Sequence, residues 1–114
     1  MARFIKGDVV VVPFPFSDLT DTKRRPALVI TALEGNDVIL SQITSQFVKD
    51  RYSFEIGDQD FQEAGLNKKS NVRPNRLFTA DSFIIIKKVG SLKPPIMESI
   101  IFRIVQILQN GDLT

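Results

Sequence analysis

Two short runs of β-branched and apolar residues, 9–14 and 27–31, flank a polar stretch near the start of the chain. Such runs predict β-strands rather than helices, since each is too short for a buried helix. Pro13 and Pro15 fall at the end of the first run, and proline cannot donate a ladder hydrogen bond. The first strand must therefore bend, fray or lie at an edge there. The chain is thus predicted to build a sheet of short strands.

Further strand patterns cover residues 38–43, 52–56, 71–73 with 77–79, and 83–88. The polar turn at residues 34–37 predicts an antiparallel hairpin between the second and third strands. Asp58 is predicted to cap a short helical turn that continues through residues 61–64, and Gly65 can terminate it.

The carboxy-terminal segment changes to a helical period. Its apolar residues recur every three or four positions, at Ile96, Ile100, Ile104 and Ile107 or Leu108. Pro94 and Pro95 suit a first turn, and Asn110-Gly111 is a stop signal, so a helix of about four turns is expected to pack across the sheet. Its apolar residues extend beyond one stripe. Either the helix is buried within the monomer, or one side meets another subunit.

Five to seven short strands and one long helix predict a mainly β fold: a strongly curved antiparallel sheet, closed or half closed as a barrel. The 114 residues are expected to form a single domain, 1–114. No apolar stretch approaches the roughly 20 residues of a membrane helix. The amino terminus lacks the features of a secretory signal, so a cytoplasmic location without membrane contact is expected.

The chain contains no cysteine and no histidine. Their absence excludes disulfides, thiolate metal sites, cysteine nucleophiles, serine-histidine-aspartate triads and histidine-based ribonuclease chemistry. Any catalysis must use arginine, lysine, carboxylates and hydroxyls, and neither a metal nor a cofactor is predicted. The net charge is only +2, so a polyanion would have to be bound by local clusters of cations.

Lys23, Arg24 and Arg25 form such a cluster, and we expect them to end the polar loop after the first strand. Pro26 restricts the backbone of Arg25 to extended conformations. A guanidinium can hold two phosphate oxygens at once. In RNA cleavage by the ribose 2′-hydroxyl, Arg25 is therefore the best candidate for stabilising charge, with proton donation as a second role.

Thr44, Ser45 and Gln46 place hydroxyl and amide groups where the third strand gives way to a loop. The Thr44 hydroxyl can donate to the same phosphate, although such residues commonly bond the local backbone instead. Asp18 and Asp21 precede the cations and can accept the 2′-hydroxyl proton, or they only stabilise a turn.

A second basic group can form one wall of a nucleic-acid groove, or it is solvated surface charge. Its members are Lys68, Lys69, Arg73 and Arg76, interspersed with Asn67, Asn71 and Asn75. Phe16 and Phe47, beside the two candidate catalytic segments, are the phenylalanines considered for base stacking. The other phenylalanines, including Phe83 and Phe102, are predicted to lie mostly in the core.

Taken in order, these motifs resemble the MazF/PemK family of type II toxins, especially its PemK-like members. The matching residues span nearly the whole chain: Gly7-Asp8, Pro13-Phe14-Pro15-Phe16, Arg25 to Ile30, Ile43-Thr44-Ser45, Ala64-Gly65-Leu66, residues 77–79, and Val89-Gly90-Ser91-Leu92. No single piece is specific, whereas the ordered set is.

The resemblance implies an SH3-like barrel, a homodimer, and a metal-independent endoribonuclease that cuts single-stranded mRNA and is blocked by a cognate antitoxin. It implies that Arg25 and Thr44 are catalytic, and suggests roles for Ser17, Asp21, Arg73 and Asp81. DNA contact would come mainly through the antitoxin. Two rivals remain: a gyrase-poisoning toxin on the same fold, which this chain's non-aromatic carboxy terminus disfavours, and a binding barrel without activity.

Overall fold

The computed structural model describes residues 3–15, 22–66 and 68–111. Within them lie seven strands, two short 3-10 helices and one α-helix. The strands are β1 (Asp8–Pro15), β2 (Thr22–Ala32), β3 (Asp37–Thr44), β4 (Phe54–Ile56), β5 (Phe61–Ala64), β6 (Ser70–Asp81) and β7 (Lys87–Leu92). The 3-10 helices are Asp58–Asp60 and Ser82–Ile84, and the α-helix is α1 (Pro94–Asn110).

All strand pairs are antiparallel, and the strands follow the order β4-β6-β3-β2-β1-β7-β5 in one sheet. The sheet curves into a half-barrel with the single helix at the carboxy-terminal end of the chain. The predicted mainly β fold of five to seven antiparallel strands with a carboxy-terminal helix is therefore confirmed.

Pro13 and Pro15 are accommodated because β1 has only one neighbour at that end. β1 pairs with β7 through residues 8–11, whereas its pairing with β2 continues to Pro15. From Val12 onward the side of β1 that faces away from β2 is an edge, where a missing N–H costs no ladder hydrogen bond. Of the three outcomes that the sequence left open for this strand, namely bending, fraying or an edge position, the structure shows the edge position.

The sheet has a buried apolar cluster on each face. One cluster joins the sheet to α1 and includes Leu28, Ile43 and Ile100, all fully buried. The other includes Val12, Ala27, Val29 and Leu40 and is covered by partly buried aromatic and apolar side chains. Burying one such aliphatic side chain contributes about 1.5–3 kcal/mol relative to leaving it exposed. The second cluster matters for function because the candidate site continues from it.

The helix begins at Pro94 and ends at Asn110, as its proline and Asn-Gly signals predicted. Gly111 adopts the left-handed conformation, with φ of 67°, and its N–H donates to the Ile107 carbonyl across 2.7 Å. The side chains of Met97, Ile100 and Ile104 are buried against the sheet. A second strip of α1 lies in solvent in the monomer, formed by Phe102, Val105 and Leu108 at 64%, 42% and 72% exposure. The helix is therefore covered on one side only.

Two predicted elements differ from the structure. Residues 61–64 form strand β5 instead of continuing a helix, because they pair with β7 and bury Phe61 in the core. The strand predicted from residues 71–73 with 77–79 is present as β6, which an irregularity interrupts between those two segments. Residues 82–84 form a 3-10 helix before β7, and Phe83 is 73% exposed, so its expected core position was wrong, as was that of Phe102.

The close approach of β5 to β7 depends on Gly90. A Cβ added there would lie 2.7 Å from the Glu63 carbonyl oxygen and 3.0 Å from the Gly65 nitrogen. Both are backbone atoms, so they cannot move aside without separating the strands.

In the described ranges, no helix is long and apolar enough to cross a membrane.

Candidate nucleic-acid interface and active site

Arg25 and Thr44 lie where β2 begins and β3 ends. The two strands pair in the register Ala27↔Gln42 and Leu28↔Ser41. Continuing this register by two residues places Arg25 across from Thr44, and directly opposed residues of an antiparallel pair have Cβ atoms about 5 Å apart. Both side chains are half-buried. The two residues that the sequence favoured for catalysis therefore each lie two positions beyond the last pair of the same two strands.

The face that carries Arg25 is set by the two-residue period of a strand. Arg25 follows the same parity as Ala27 and Val29, which belong to the second apolar cluster. Thr44 follows the parity of Gln42 and Leu40 on β3. The site thus lies on the sheet face opposite α1, at the edge of a fully buried layer that gives it a rigid floor.

The three consecutive cations lie within β2 rather than in the loop that precedes it, where the sequence placed them. Because neighbouring residues of a strand face opposite sides, Lys23 and Arg25 share one face and Arg24 occupies the other. Lys23 is exposed and pairs with Phe14 on β1. The structure therefore gathers two of the three cations at the site, and it separates Arg24 from them.

The Thr44 hydroxyl is oriented by the turn that follows it. Its Oγ1 accepts a hydrogen bond from the Gln46 N–H across 3.1 Å. This is the local backbone contact that such residues commonly make. An accepting hydroxyl keeps its own proton available for donation, so the local bond and a bond to a phosphate oxygen are compatible.

A pocket of about 400 Å³ opens beside Thr44. Its lining comes from β3, from the loop of residues 45–53 that joins β3 to β4, and from β6: Thr44, Gln46, Phe47, Val48, Lys49, Asp50 and Arg73. Ser45 is exposed at the start of this loop. Of the predicted RNA-binding residues, Gln46 and Arg73 therefore line the space next to Thr44.

Arg73 is engaged by a carboxylate. Its Nη2 donates to Asp50 Oδ2 across 3.0 Å, and the two side chains are 20% and 26% exposed. Asp50 Oδ1 also accepts from the N–H groups of Tyr52 and Ser53 at 3.0 and 3.2 Å. Burial alone would raise the pKa of the Asp50 carboxyl, but these hydrogen bonds and the Arg73 charge outweigh it and lower that pKa. Asp50 therefore stays ionised and holds the loop to β6.

A second pocket, of about 460 Å³, opens beside Gln42. Its lining consists of Phe14, Gln42, Asn75, Arg76, Leu77 and Phe78. The rings of Phe14 and Phe78 meet edge to face with centroids 4.8 Å apart. Arg76 and Asn75 reach this pocket because β6 bulges there: four residues, 73–76, lie opposite Gln42 alone, between the pairs Ser41↔Leu77 and Ile43↔Val72. The Ser41 hydroxyl fixes the bulge by donating to the Arg73 carbonyl across 2.7 Å.

The remaining predicted residues fall into two groups. Lys69 is exposed just before β6, and Asp81 caps the 3-10 helix at the far end of that strand by accepting from the Phe83 N–H across 2.9 Å. Ser17 and Asp21, like Phe16 and Asp18, lie outside the described residues. The candidate general base, Asp21, therefore remains a prediction from the sequence.

Two residues of this region were missed by sequence reasoning. Gln42 precedes Thr44 by two positions, so the strand period could have identified it as a neighbour on the same face. Asp50 gave no signal, because it lies 23 positions before Arg73 and only the fold brings the two side chains together. Within the described part of the chain, no group of three or more acidic side chains is placed to hold a metal ion.

Comparison with known proteins places the chain in a family. Residues 5–108 match the sequence family described as PemK-like, MazF-like toxin of type II toxin-antitoxin system. No curated protein sequence matches the chain significantly.

Solved structures of low sequence identity share the fold. An endoribonuclease in complex with its cognate antitoxin from a mycobacterial species aligns with a TM-score of 0.75 at 14% identity, covering 95% of this chain and 97% of that one. The Mycobacterium tuberculosis toxin MazF-mt6 gives 0.70 at 17% identity, with 90% and 96% coverage. A MazE-MazF structure from Deinococcus radiodurans gives 0.73 at 14% identity, with 92% and 95% coverage. At these identities the likeness concerns the fold.

Proposed function

Because the chain belongs to the family of PemK-like, MazF-like toxins of type II toxin-antitoxin systems, we propose that it is an endoribonuclease that cuts single-stranded mRNA without a metal ion. The observation that carries the proposal is the register of β2 with β3, which ends at the pair Ala27↔Gln42. Its continuation by two residues sets Arg25 across from Thr44. The endoribonuclease names of the structural neighbours support the same activity.

In the proposed reaction the ribose 2′-hydroxyl attacks the adjacent phosphorus in line and the 5′-oxygen of the next nucleotide leaves. The products are a 2′,3′-cyclic phosphate and a 5′-hydroxyl. Arg25 holds two non-bridging oxygens and stabilises their growing negative charge, while the Thr44 hydroxyl donates to one of them. Asp21 is the proposed acceptor of the 2′-hydroxyl proton. Arg25 is also, as its second role, the proposed source of the proton for the leaving oxygen.

The RNA is proposed to run along the sheet face between the two pockets. Lys23 supplies charge beside Arg25, Arg76 and Lys69 supply it along β6, and Gln46 offers an amide to a base edge. Ser17, Arg24, Ser45 and Arg73 complete the proposed RNA-binding set. Of these, Arg24 has the weakest support, because the strand period places it on the opposite face from Arg25.

We further propose that the protein acts in the cytoplasm as a homodimer, inhibited by a cognate antitoxin that covers the same face and contributes the pair's contact with DNA. The exposed apolar strip of Phe102, Val105 and Leu108 supports self-association, since an unpartnered helix face of this kind commonly meets another chain. The antitoxin complexes of the structural neighbours support the inhibitory partner.

The test is digestion of a long transcript in excess EDTA, with the cut ends mapped and their chemistry determined. We expect cuts at a short recurring sequence, each leaving a 2′,3′-cyclic phosphate. Arg25→Ala should abolish cutting, while Lys93→Ala, which removes an exposed cation at the start of α1, should leave it unchanged. A folded protein that leaves the transcript intact, or an Arg25→Ala variant as active as the parent, would refute the proposal. Binding of RNA without cleavage would indicate a binding barrel without activity. Inhibition of gyrase would indicate a gyrase-poisoning toxin.

A further inference from the structure

Phe47 is the most exposed large apolar side chain in the described part of the protein, at 85%. A single exposed apolar residue needs no explanation by itself. Phe47 differs because it lines the pocket that also contains Thr44. The two are three positions apart along the chain, which is at most about 10 Å when extended. The ring therefore lies within one nucleotide's reach of the proposed reaction centre.

The loop that presents Phe47 is held on both sides of the ring. Before it, the Gln46 N–H donates to Thr44 Oγ1, and the Gln46 carbonyl accepts from Asn71 Nδ2 across 3.3 Å. After it, Asp50 joins the loop to Arg73 across 3.0 Å. A loop held in this way loses little backbone freedom when a ligand stacks on the ring that it carries, and such preorganisation favours binding.

The surroundings of Phe47 suit a nucleotide better than a protein. Ser45, Gln46 and Lys49 are exposed and polar, and the half-buried Val48 is the one other apolar residue in the pocket lining, so the ring is not part of an extended apolar patch. The core of a protein interface normally groups several apolar residues with few charges. Single-stranded nucleic acid is bound by the opposite arrangement, in which isolated aromatic rings take the bases and neighbouring cations take the phosphates.

We infer that Phe47 is the stacking platform for the base of a nucleotide next to the cleaved phosphodiester. Lys49 contributes charge to the adjoining phosphate, and the Asp50–Arg73 pair positions the loop. This inference rests on the proposed ribonuclease function and adds a binding subsite to it. Every base has a π-face, so this subsite adds affinity with little discrimination between bases, and the sequence preference must be determined at other subsites.

The experiment uses a ribo-oligonucleotide that spans a mapped cut site, with 2′-deoxyribose at the cleaved position to block attack. The Kd is measured for the parent, Phe47→Ala and Phe47→Trp. Phe83→Ala is the matched control, because Phe83 is 73% exposed but follows the far end of β6. Stacking on one aromatic ring corresponds to about 5-fold to 150-fold in Kd. We expect Phe47→Ala to weaken binding within that range and Phe47→Trp to retain it, with Phe83→Ala unchanged.

A second series identifies the stacked nucleotide. Each position flanking the cut is replaced in turn by an abasic nucleotide. At one position the abasic change and Phe47→Ala should not be additive, since each removes the same contact. Additive losses at every position would overturn the inference. So would an unchanged Kd, or a Phe47→Ala effect on self-association or on antitoxin binding alone. A parent that cuts no RNA would instead refute the proposed function.

Discussion

Arg73 and Asp50 form an ion pair of 3.0 Å that ties β6 to the loop following Thr44. The sequence presented Arg73 only as one of several cations available to RNA. In the structure its guanidinium also shapes the pocket, because Asp50 uses the same carboxylate to hold the N–H groups of Tyr52 and Ser53. The residue therefore combines a predicted role in binding phosphate with an observed role in positioning the loop.

Replacing Asp50 by alanine should destabilise the protein. The change removes one ion pair and two backbone hydrogen bonds at a site about one-quarter exposed, for which we expect a loss of about 2 kcal/mol in the free energy of unfolding. Urea denaturation measures this loss. Glu34→Ala, in an exposed turn, is the control and should change stability by less than about 0.5 kcal/mol. Equal stabilities of the two variants would show that the Asp50 interactions do not stabilise the protein.

The same carboxyl predicts a pH dependence. In the folded state the pKa of the Asp50 carboxyl lies below the ordinary 3.8. Burial acts to raise this pKa, but the hydrogen bonds from Arg73 and the backbone, together with the Arg73 charge, outweigh it. A carboxyl whose pKa is lowered on folding stabilises the protein by its full amount at pH values above 3.8. This stabilisation is lost as the pH falls through the pKa of the folded state. The parent should therefore exceed Asp50→Asn in stability by a constant amount near neutral pH, and the gap should close in acid. Unfolding curves over this range measure it, and a gap that widens in acid would contradict the assignment.

Thr44→Val removes the hydroxyl while keeping the shape of the side chain. If that hydroxyl donates to the phosphate in the transition state, kcat should fall by about 100-fold to 1000-fold, as for loss of one oxyanion donor. Thr44→Ser keeps the hydroxyl and should retain most of the activity. Single-turnover cleavage of a short RNA compares the two. If Thr44→Val and Thr44→Ser cleave RNA at similar rates, the Thr44 hydroxyl stabilises only the local turn.

Gly90→Ala should weaken the junction of β5 with β7. The added Cβ would meet backbone atoms at 2.7 and 3.0 Å, and overpacking of this kind costs about 1–3 kcal/mol. Gly57→Ala is the matched control, because its new Cβ would meet only the flexible end of Gln59. Thermal unfolding of both variants distinguishes them. A Gly90→Ala protein as stable as the parent would show that the strands can separate at no cost.

Phe102→Glu tests the proposed self-association. Phe102 is 64% exposed in the monomer, so the change should leave the monomer folded. A charge buried in an apolar contact is costly, and the variant should therefore shift from dimer to monomer in sedimentation analysis. Lys93→Ala, at the start of α1, changes the net charge by the same amount and is the control. A Phe102→Glu variant that remains a dimer would place the interface elsewhere.

Local patterns in the sequence determined the elements whose stabilising interactions are themselves local. The strand cores follow from alternating or continuous β-branched runs, and α1 was predicted with both ends, because its proline start and glycine stop act within one turn. The absence of histidine and cysteine, together with the extended backbone before Pro26, selected Arg25. The ordered motifs then indicated the family and with it Thr44.

The tertiary structure alone decided the relationships between distant residues. Strand pairing turned residues 61–64 into β5, because Phe61 gains burial and Gly90 permits contact, and no local signal encodes that gain. The fold also divided the three cations between two faces, brought the ends of β2 and β3 that carry Arg25 and Thr44 to the same place, and joined Asp50 to Arg73. Such contacts depend on how separate strands align, and their energy exists only once the sheet has formed. The sequence identified the candidate chemical groups, and the tertiary structure determined which of them lie close together.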